Sequence, residues 1–301
     1  MFIRFCAAVG TAVLGTLAVQ AAAGQTRASY VPALTADGQP DIQGVWQHRR
    51  ALAGSLECAY DINGTTGNHE NFNPPLDDKP RAARQKREGP CGPDTTTFGN
   101  IALGFKIPLQ PWARAKKDEM YRKIYAVGAV IDGPFDLDPP ARCLPMGLPR
   151  THAFLGPHQI LQPPGYVVIL DEQSHQYRVV PVDARAHVGS GIRLWLGDAT
   201  GHWEGNTLIV ETTNFNDKTW WDQAATFHSE AQRTVERFTV VDANTINYDL
   251  TIEDKNILTE PLRGLSTTFQ RAQKGEELLE EECLEGNRLE NYGFKGHDSQ
   301  R

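Results

Sequence analysis

One short stretch, from Gly197 to Asn216, gathers side chains that can exchange protons or bind a small molecule. Its letters are GDATGHWEGNTLIVETTNFN, and among them stand His202, Glu204 and Glu211. Imidazole and carboxylate groups that lie close together commonly act as general acids and bases in catalysis. The stretch therefore raises the question of whether these groups line a site or face water.

The hairpin that this stretch predicts decides which side chains share a face. Gly205-Asn206 suits a two-residue turn, and side chains alternate between the two faces of each strand. The apolar face then holds Trp203, Leu208 and Val210. The other face holds His202, Glu204, Ile209 and Glu211. This polar face either points to water on a half-buried sheet or lines a pocket inside a barrel.

Glu236 is the acid–base candidate that periodicity favours most, because it alternates in phase with Phe238 and Val240. If that face is internal, burial raises the pKa of the Glu236 carboxyl and makes it a better base. We predict Glu236 as the general base, with His202 as the acid and Glu211 orienting His202. The alternative is a structural ion pair with Arg178, Arg185 or Arg233.

Further side chains around the predicted strands complete the candidate site. Arg150 is predicted to be catalytic, as a cation that holds developing negative charge. The predicted substrate-binding residues are Arg142, Glu204, Asn214, His187, His228 and Trp220. Trp220 and its neighbour Trp221 either stack on a substrate ring from an exposed loop or close the core.

Several known chemistries have no motif in this chain. The sequence lacks a G-x-S-x-G elbow, a GxGxxG loop, an HExxH helix and a CxxC pair, so no cofactor and no metal are predicted. The formal net charge is −7 and no large Lys/Arg cluster occurs, which disfavours nucleic acid as a partner. We expect a small-molecule substrate; the sequence does not indicate the oligomeric state.

The first 23 residues have the anatomy of a secretory signal peptide. Arg4 is followed by an apolar stretch, Phe5–Val19, and then by small residues at Ala21–Ala23. The stretch is about 15 residues long, short of the roughly 20 that a spanning helix needs. We predict a periplasmic or secreted protein with no membrane span.

The cysteines beyond the predicted signal peptide are Cys58, Cys91, Cys143 and Cys283. An even number in an oxidising compartment predicts disulfides. These cysteines can pair in more than one way, and we favour Cys58–Cys91 and Cys143–Cys283. The first bridge would staple an irregular region, and the second would tie the middle of the chain to its end.

The order of elements predicts a mainly β protein: an antiparallel barrel or sandwich, lipocalin-like, in one domain. Residues 24–110 are predicted to be irregular, with a first strand near "PDIQGVW" and a disulfide staple. Residues 111–301 begin with a helix at Pro111 and continue as successive hairpins, ending in "LSTTFQRA" and "ELLEEECLE". Gly (27) and Pro (19) are plentiful, which favours such a turn-rich β architecture.

Three segments of the chain resemble a broad group of secreted bacterial proteins. They are "RCLPMGLPR", "GDATGHWEGNTLIVETTNFNDKTW" and "HSEAQRTVERF", within roughly residues 135–290. That group would have Asp where Asn206 stands. The resemblance implies no particular reaction, but it favours a site at matching positions: Arg142, Arg150, His202, Glu204, Glu211, Asn214 and Glu236.

The residue types together predict a cofactor-independent enzyme that uses His/Glu acid–base chemistry. A lyase acting on a small polar or aromatic molecule, such as one derived from lignin or a sugar, fits best. Such a reaction needs a base, an acid and a cation for developing charge. The alternatives are a barrel that binds a ligand without catalysis, and a metal-dependent enzyme whose ligands are His187, His202 and His228.

Overall fold

The computed structural model describes residues 30–48, 56–57, 106–125, 133, 136–152, 156–173, 176–183 and 185–283. The predicted signal peptide and the predicted Cys58–Cys91 bridge lie outside the described residues. Within them, mainly β structure with one helix is confirmed. No helix of the described part is both long and apolar enough to cross a membrane.

The elements follow the predicted order of one helix and then successive strands. Helix α1 spans Pro111–Tyr125 and begins on a proline, whose fixed φ and missing N–H suit a first helical turn. The strands are β1 Gly44–His48, β2 His158–Leu161, β3 Tyr166–Asp171, β4 Tyr177–Pro181, β5 Asp198–Glu204, β6 Thr207–Thr213, β7 Arg233–Asp242, β8 Thr245–Glu253 and β9 Leu262–Arg271.

The nine strands form one antiparallel sheet in the order β4-β3-β2-β1-β9-β8-β7-β6-β5. The two end strands, β4 and β5, approach each other and make the sheet a nearly closed barrel. Gly201 on β5 allows this approach, since a Cβ there would lie 3.0 Å from Val180 Cγ1 on β4. The predicted barrel is therefore confirmed.

The barrel interior is filled by the apolar half of each alternating strand. The β5–β6 hairpin turns at Gly205-Asn206, and Trp203 pairs with Leu208 as predicted. Leu208 is fully buried and Trp203 is half-buried against the same core. Phe238 on β7 and Tyr248 on β8 are neighbours in the same interior. The period of two thus correctly predicted which side chains share a face in both hairpins.

The prediction that "ELLEEECLE" supplies a last strand is wrong, because residues 277–283 form no strand. The last strand is β9, which already pairs with β1 on one side and β8 on the other. Neither edge of β9 is therefore free to pair with a further strand. Glutamate is also disfavoured in strands, and this segment has three in a row at 280–282.

A proline-rich segment, residues 136–152, leads into the barrel and ends in a short 3₁₀ helix, Arg150–His152. The predicted Cys143–Cys283 disulfide is confirmed, and it joins this segment to the chain that follows β9. His152 is fully buried. Its ring lies edge-on to Phe238 and Tyr248. The segment therefore inserts a histidine among the inward side chains of the barrel.

Candidate functional site

The centre of the candidate site is an ion pair between Glu236 on β7 and Arg178 on β4. Arg178 donates from Nη1 to Glu236 Oε1 at 2.9 Å and from Nη2 to Oε2 at 2.6 Å. Both residues alternate in phase with inward apolar neighbours, Phe238 and Val180, and both are buried. A bidentate pair of this kind fixes the carboxylate and the guanidinium in one plane.

Burial and the ion pair act in opposite directions on Glu236. Burial raises the pKa of the Glu236 carboxyl. The charge and hydrogen bonds of Arg178, together with His152 and Tyr248, lower this pKa by more than burial raises it, so the net shift is downward. The predicted inward position of Glu236 is confirmed, whereas the predicted rise of its pKa is wrong. The cation that reverses the shift stands 58 residues away along the chain.

Tyr248 and Thr212 complete the contacts of the ion pair. The Tyr248 hydroxyl donates to Glu236 Oε1 at 3.0 Å, and Arg178 Nη2 donates to Thr212 Oγ1 at 2.9 Å. Burial and the neighbouring Glu236 carboxylate raise the pKa of Tyr248 well above its usual value. The phenol therefore stays protonated and remains a hydrogen-bond donor at neutral pH.

His152 lies between the ion pair and a second polar group. Its Nε2 is 2.6 Å from Arg178 Nη1 and 3.4 Å from Glu236 Oε1. A guanidinium only donates, so Nε2 accepts here and the proton of the neutral ring is on Nδ1. That nitrogen faces Asp171 Oδ1 at 3.5 Å, which places His152 between two carboxylates.

The second polar group is His158 on β2 with Asp171 on β3, which are direct partners in the sheet. His158 Nδ1 is 2.6 Å from Asp171 Oδ1, and both side chains are buried. Burial raises the pKa of the Asp171 carboxyl. The two histidines lower this pKa by more than burial raises it, so the net shift is downward. His152, His158 and Asp171 each place one donor atom within 4.8 Å of the others.

The predicted partnership of Glu236 with His202 is wrong. His202 is on the outer face of β5, where its side chain is 50% exposed. It alternates out of phase with Trp203, whereas Glu236 pairs with Val210 and shares its inward face. Glu204 is exposed on the same outer face, 3.6 Å from Arg237. The polar face of this hairpin points to water, so neither residue lines the interior.

Three other predicted residues, His187, Glu211 and Asn214, come together outside the barrel. His187 Nδ1 is 2.9 Å from Asp198 Oδ2, and its Nε2 is 3.7 Å from Glu211 Oε1. Hydrogen bonds from Arg233 hold the pKa of Glu211 below its usual value. The predicted role of Glu211 in orienting His202 is therefore wrong, since its carboxylate is committed to Arg233 and faces His187.

Asn214 organises the loop above this outer group. Its φ is +58°, and its Nδ2 donates to the carbonyls of Val188, Gly189 and Ile192 at 3.0 to 3.2 Å. The Gly189 carbonyl also accepts a backbone hydrogen bond from Ile192 N at 3.0 Å. The contacts make Asn214 a loop-fixing residue; its predicted binding of substrate stays a prediction.

The two predicted arginines lie on the segment that carries His152. Arg150 is buried and makes a bidentate pair with Asp138 at 2.7 and 2.8 Å. Arg142 is partly buried, and burial lowers its pKa, although Asp138 opposes the shift. Arg150 thus ties its own 3₁₀ helix to the start of the segment, two residues before His152.

His228 and Trp220 are in the core next to the barrel. His228 Nε2 is 2.7 Å from Thr219 Oγ1, and burial lowers the pKa of its imidazole. Trp220 and Trp221 are buried with it, so the predicted stacking from an exposed loop is wrong and the core alternative holds. His187, His202 and His228 have different partners, and the one group of potential metal ligands among the described residues does not include them.

The sequence prediction missed His158 and Asp171, and it named Arg178 only as one of three alternative ion-pair partners of Glu236. Each alternates in phase with a buried aliphatic residue of its own strand: Ile160, Ile169 and Val180. The argument that placed Glu236 inside applies equally to them. A polar residue that interrupts an apolar alternation is therefore the signal that would have found the whole group.

No protein-family model matches the chain, and neither a curated protein nor a solved structure matches it. The resemblance of the motif series to secreted bacterial proteins therefore stays a prediction. The buried polar side chains inside the barrel form one group, which we call the interior cluster: Glu236, Arg178, Tyr248, His152, His158 and Asp171.

Proposed function

We propose that this protein is an enzyme that carries out acid–base chemistry on a small anionic molecule at the interior cluster. The observation that carries the proposal is the Glu236–Arg178 pair with Tyr248, buried inside the barrel. A base, a donor and a cation for developing charge are the groups that proton abstraction and elimination require. The proposed class is therefore a lyase.

Arg178 makes the activity of Glu236 dependent on substrate. In the free protein the pKa of Glu236 is low, because Arg178 outweighs the effect of burial. An anionic substrate group that takes over the guanidinium leaves the carboxylate with burial as the dominant influence, which raises its pKa. The substrate thereby converts a weak base into a stronger one at the moment of binding.

The reaction balances without a redox partner. Glu236 takes the proton from carbon, the carbon–hydrogen electron pair becomes the new double bond, and the bond to the leaving group breaks. Tyr248 gives the departing oxygen a proton, because its raised pKa keeps it protonated until then. Arg178 holds the negative charge that develops on the substrate during proton abstraction.

An oxidising compartment belongs to the same proposal. The Cys143–Cys283 disulfide supports it, because such bridges persist in secreted and periplasmic proteins and are rare in the cytosol. The proposed signal peptide, residues 1–23, is tested by expressing the full chain and determining the N-terminus of the exported protein. An exported protein that keeps its first 23 residues would contradict cleavage there.

The catalytic proposal is tested with a panel of small hydroxy acids, sugar acids and aromatic acids that carry a β-leaving group. Formation of the new double bond is followed by absorbance. Glu236→Gln keeps the shape and removes the titrating group, and we expect a loss on the order of 10²–10⁴-fold in kcat. Glu204→Gln, an exposed carboxylate on β5, is the matched control and keeps full activity.

Each outcome of the panel decides between functions. Full activity in a folded Glu236→Gln variant would contradict the role of this carboxylate as base. If wild-type protein binds an acid of the panel but converts none, the barrel is a binding protein, as the second sequence interpretation holds. If the wild-type protein neither binds nor converts any small acid of the panel, the proposal as a whole is overturned.

A further inference from the structure

His152, His158 and Asp171 form a group that the proposed acid–base reaction does not use in full. They come from three different parts of the barrel: the 3₁₀ helix, the start of β2 and the end of β3. Their exposed fractions are 0%, 2% and 6%. One donor atom from each lies within 4.8 Å of the other two.

Several polar atoms of this group have no hydrogen-bond partner among the described residues. They are His152 Nδ1, His158 Nε2 and Asp171 Oδ2, all buried. A buried polar atom without a partner is destabilising, because it has lost its hydrogen bonds to water and gained none, so native proteins keep few of them. Three such atoms in one group point to something that binds there.

The charge of the interior cluster also indicates a cation. By residue type, the cluster holds two carboxyl groups, Asp171 and Glu236, against the single guanidinium of Arg178, and all three side chains are buried. One negative charge is left over in a buried space unless a histidine is protonated or a cation binds. His152 Nε2 accepts from Arg178 Nη1 at 2.6 Å in this arrangement, which leaves Nδ1 as the ring nitrogen that faces the group.

We propose that His152, His158 and Asp171 form a binding site for a divalent transition-metal ion. Two imidazoles and one carboxylate suit Zn²⁺, Fe²⁺ or Co²⁺, whereas Ca²⁺ and Mg²⁺ prefer oxygen ligands alone. Three protein ligands leave coordination positions open for water or substrate. The site is separate from the outer His187–Asp198 contact, which is partly exposed.

Glu236 gives the proposed site an outer contact of the usual kind. A metal-binding histidine commonly donates its second ring nitrogen to a carboxylate, which fixes the ring and its tautomer. His152 Nε2 lies 3.4 Å from Glu236 Oε1. A metal ion at Nδ1 replaces the proton there, and the ring proton then moves to Nε2 and points at Glu236 in place of the Arg178 contact.

The competing explanation is that His158 and Asp171 only hydrogen-bond each other at 2.6 Å, with a proton on His158 balancing the charge. The metal proposal does not depend on the proposed lyase reaction, because it is tested by binding alone. A protein that takes up the ion but shows no lyase activity supports this site and not the proposed function.

The test uses the mature chain without an affinity tag, freed of metal with a chelator and then titrated with Zn²⁺ and, separately, Co²⁺. We expect one ion per chain, a visible Co²⁺ spectrum typical of nitrogen and oxygen ligands, and a higher Tm with Zn²⁺, because the ion binds the folded state. His158→Gln and Asp171→Asn should each weaken binding by tenfold or more. His187→Gln, at the outer His–Asp contact, is the matched control and should bind as wild type does.

The outcomes separate the interior site from an adventitious one. Absence of Zn²⁺ and Co²⁺ binding by wild-type protein would overturn the proposal. Loss of binding in His187→Gln with retention in Asp171→Asn would place the ion on the outer surface and overturn it equally. If His158→Gln fails to fold, Asp171→Asn decides, because it keeps the shape of the side chain and removes its charge.

Discussion

Burial and ion pairing have opposite effects on the pKa of buried carboxyl groups in this protein, and Glu236 shows this most clearly. Burying its carboxylate without a partner would cost folding free energy. Arg178 keeps the carboxylate ionised and holds it in place with two hydrogen bonds. The pair is a structural contact in the free protein, and in the proposed reaction it would supply the catalytic groups once a substrate competes for Arg178. One residue-scale experiment separates the contribution of burial from that of the pair.

Arg178→Leu should leave the Glu236 carboxylate buried without its ion-pair partner. Removing one partner of a buried pair costs about 3–5 kcal/mol of unfolding free energy at pH 7. In the variant, Arg178 no longer opposes burial, and we expect burial to outweigh His152 and Tyr248 and raise the pKa of Glu236 above its unfolded value of 4.5, so the loss shrinks as the pH falls towards that value. Wild-type protein behaves oppositely, because its lowered pKa makes Glu236 a source of stability that acid removes.

Urea unfolding at several pH values measures both trends. Arg237→Leu, which removes an arginine of the same strand that is 46% exposed, is the control and should change the unfolding free energy by no more than about 0.5 kcal/mol. A destabilisation by Arg178→Leu that grows as the pH falls would show that Glu236 is not the group left without its ion-pair partner.

His228 should make wild-type stability depend on pH above the range of the carboxylates. Burial lowers the pKa of this imidazole below its unfolded value of 6.5, so acid protonates the unfolded chain first. Its contribution is complete above pH 6.5 and is lost progressively as the pH falls from there towards the lower folded pKa. His228→Gln should flatten the unfolding free energy over this interval, whereas exposed His202→Gln should leave the slope unchanged. Equal slopes in wild type and His228→Gln would contradict this assignment.

At the scale of elements, the β5–β6 hairpin shows how strand alternation separates packing from surface chemistry. Leu208 is fully buried and pairs with Trp203, whereas His202 points outward from the neighbouring position. The inward face of the hairpin therefore packs into the barrel core. The hairpin's outer face carries the exposed Glu204, which lies 3.6 Å from Arg237 on β7, and exposed charge pairs of this kind contribute little to stability.

Leu208→Ala should cost about 2–5 kcal/mol of unfolding free energy, because it leaves a cavity in the barrel core. His202→Ala should stay within about 0.5 kcal/mol of wild type, as is usual for exposed positions. Thermal and urea unfolding of both variants test the orientation of the hairpin. The reverse order of effects would mean that the two faces are exchanged.

At the scale of the whole molecule, the barrel is stabilised by a covalent link between distant parts of the chain. The Cys143–Cys283 bridge spans 140 residues and joins the segment that carries His152 to the chain beyond β9. Closing a loop of that size restricts the unfolded chain strongly. The bridge therefore stabilises both the barrel and the placement of His152 inside it.

Cys143→Ser should lower the unfolding free energy by about 2–5 kcal/mol under oxidising conditions. Cys283→Ser should have a similar effect, and the double variant should add little, because either change breaks the same bridge. Reductant should bring wild-type protein towards the variants. Thiol titration of denatured, unreduced wild-type protein should find neither cysteine reactive, and additive losses in the double variant would contradict the bridge.

The sequence by itself determined the local features of this protein. Alternation with a period of two set the β5–β6 and β7–β8 hairpins and put Glu236 on the inward face. These features need only neighbouring residues, because successive side chains of a strand point in opposite directions. The compartment argument likewise led to the Cys143–Cys283 pairing that the structure has.

Only the tertiary structure decided which polar groups meet. Two faces of a hairpin are locally equivalent, so the exposure of His202 followed from closure of the barrel and not from its own strand. The partner of Glu236 comes from β4, with a sequence separation of 58, and that partner reversed the direction of its pKa shift. Contacts across a barrel depend on strand order and closure, whereas alternation along one strand carries no information about either.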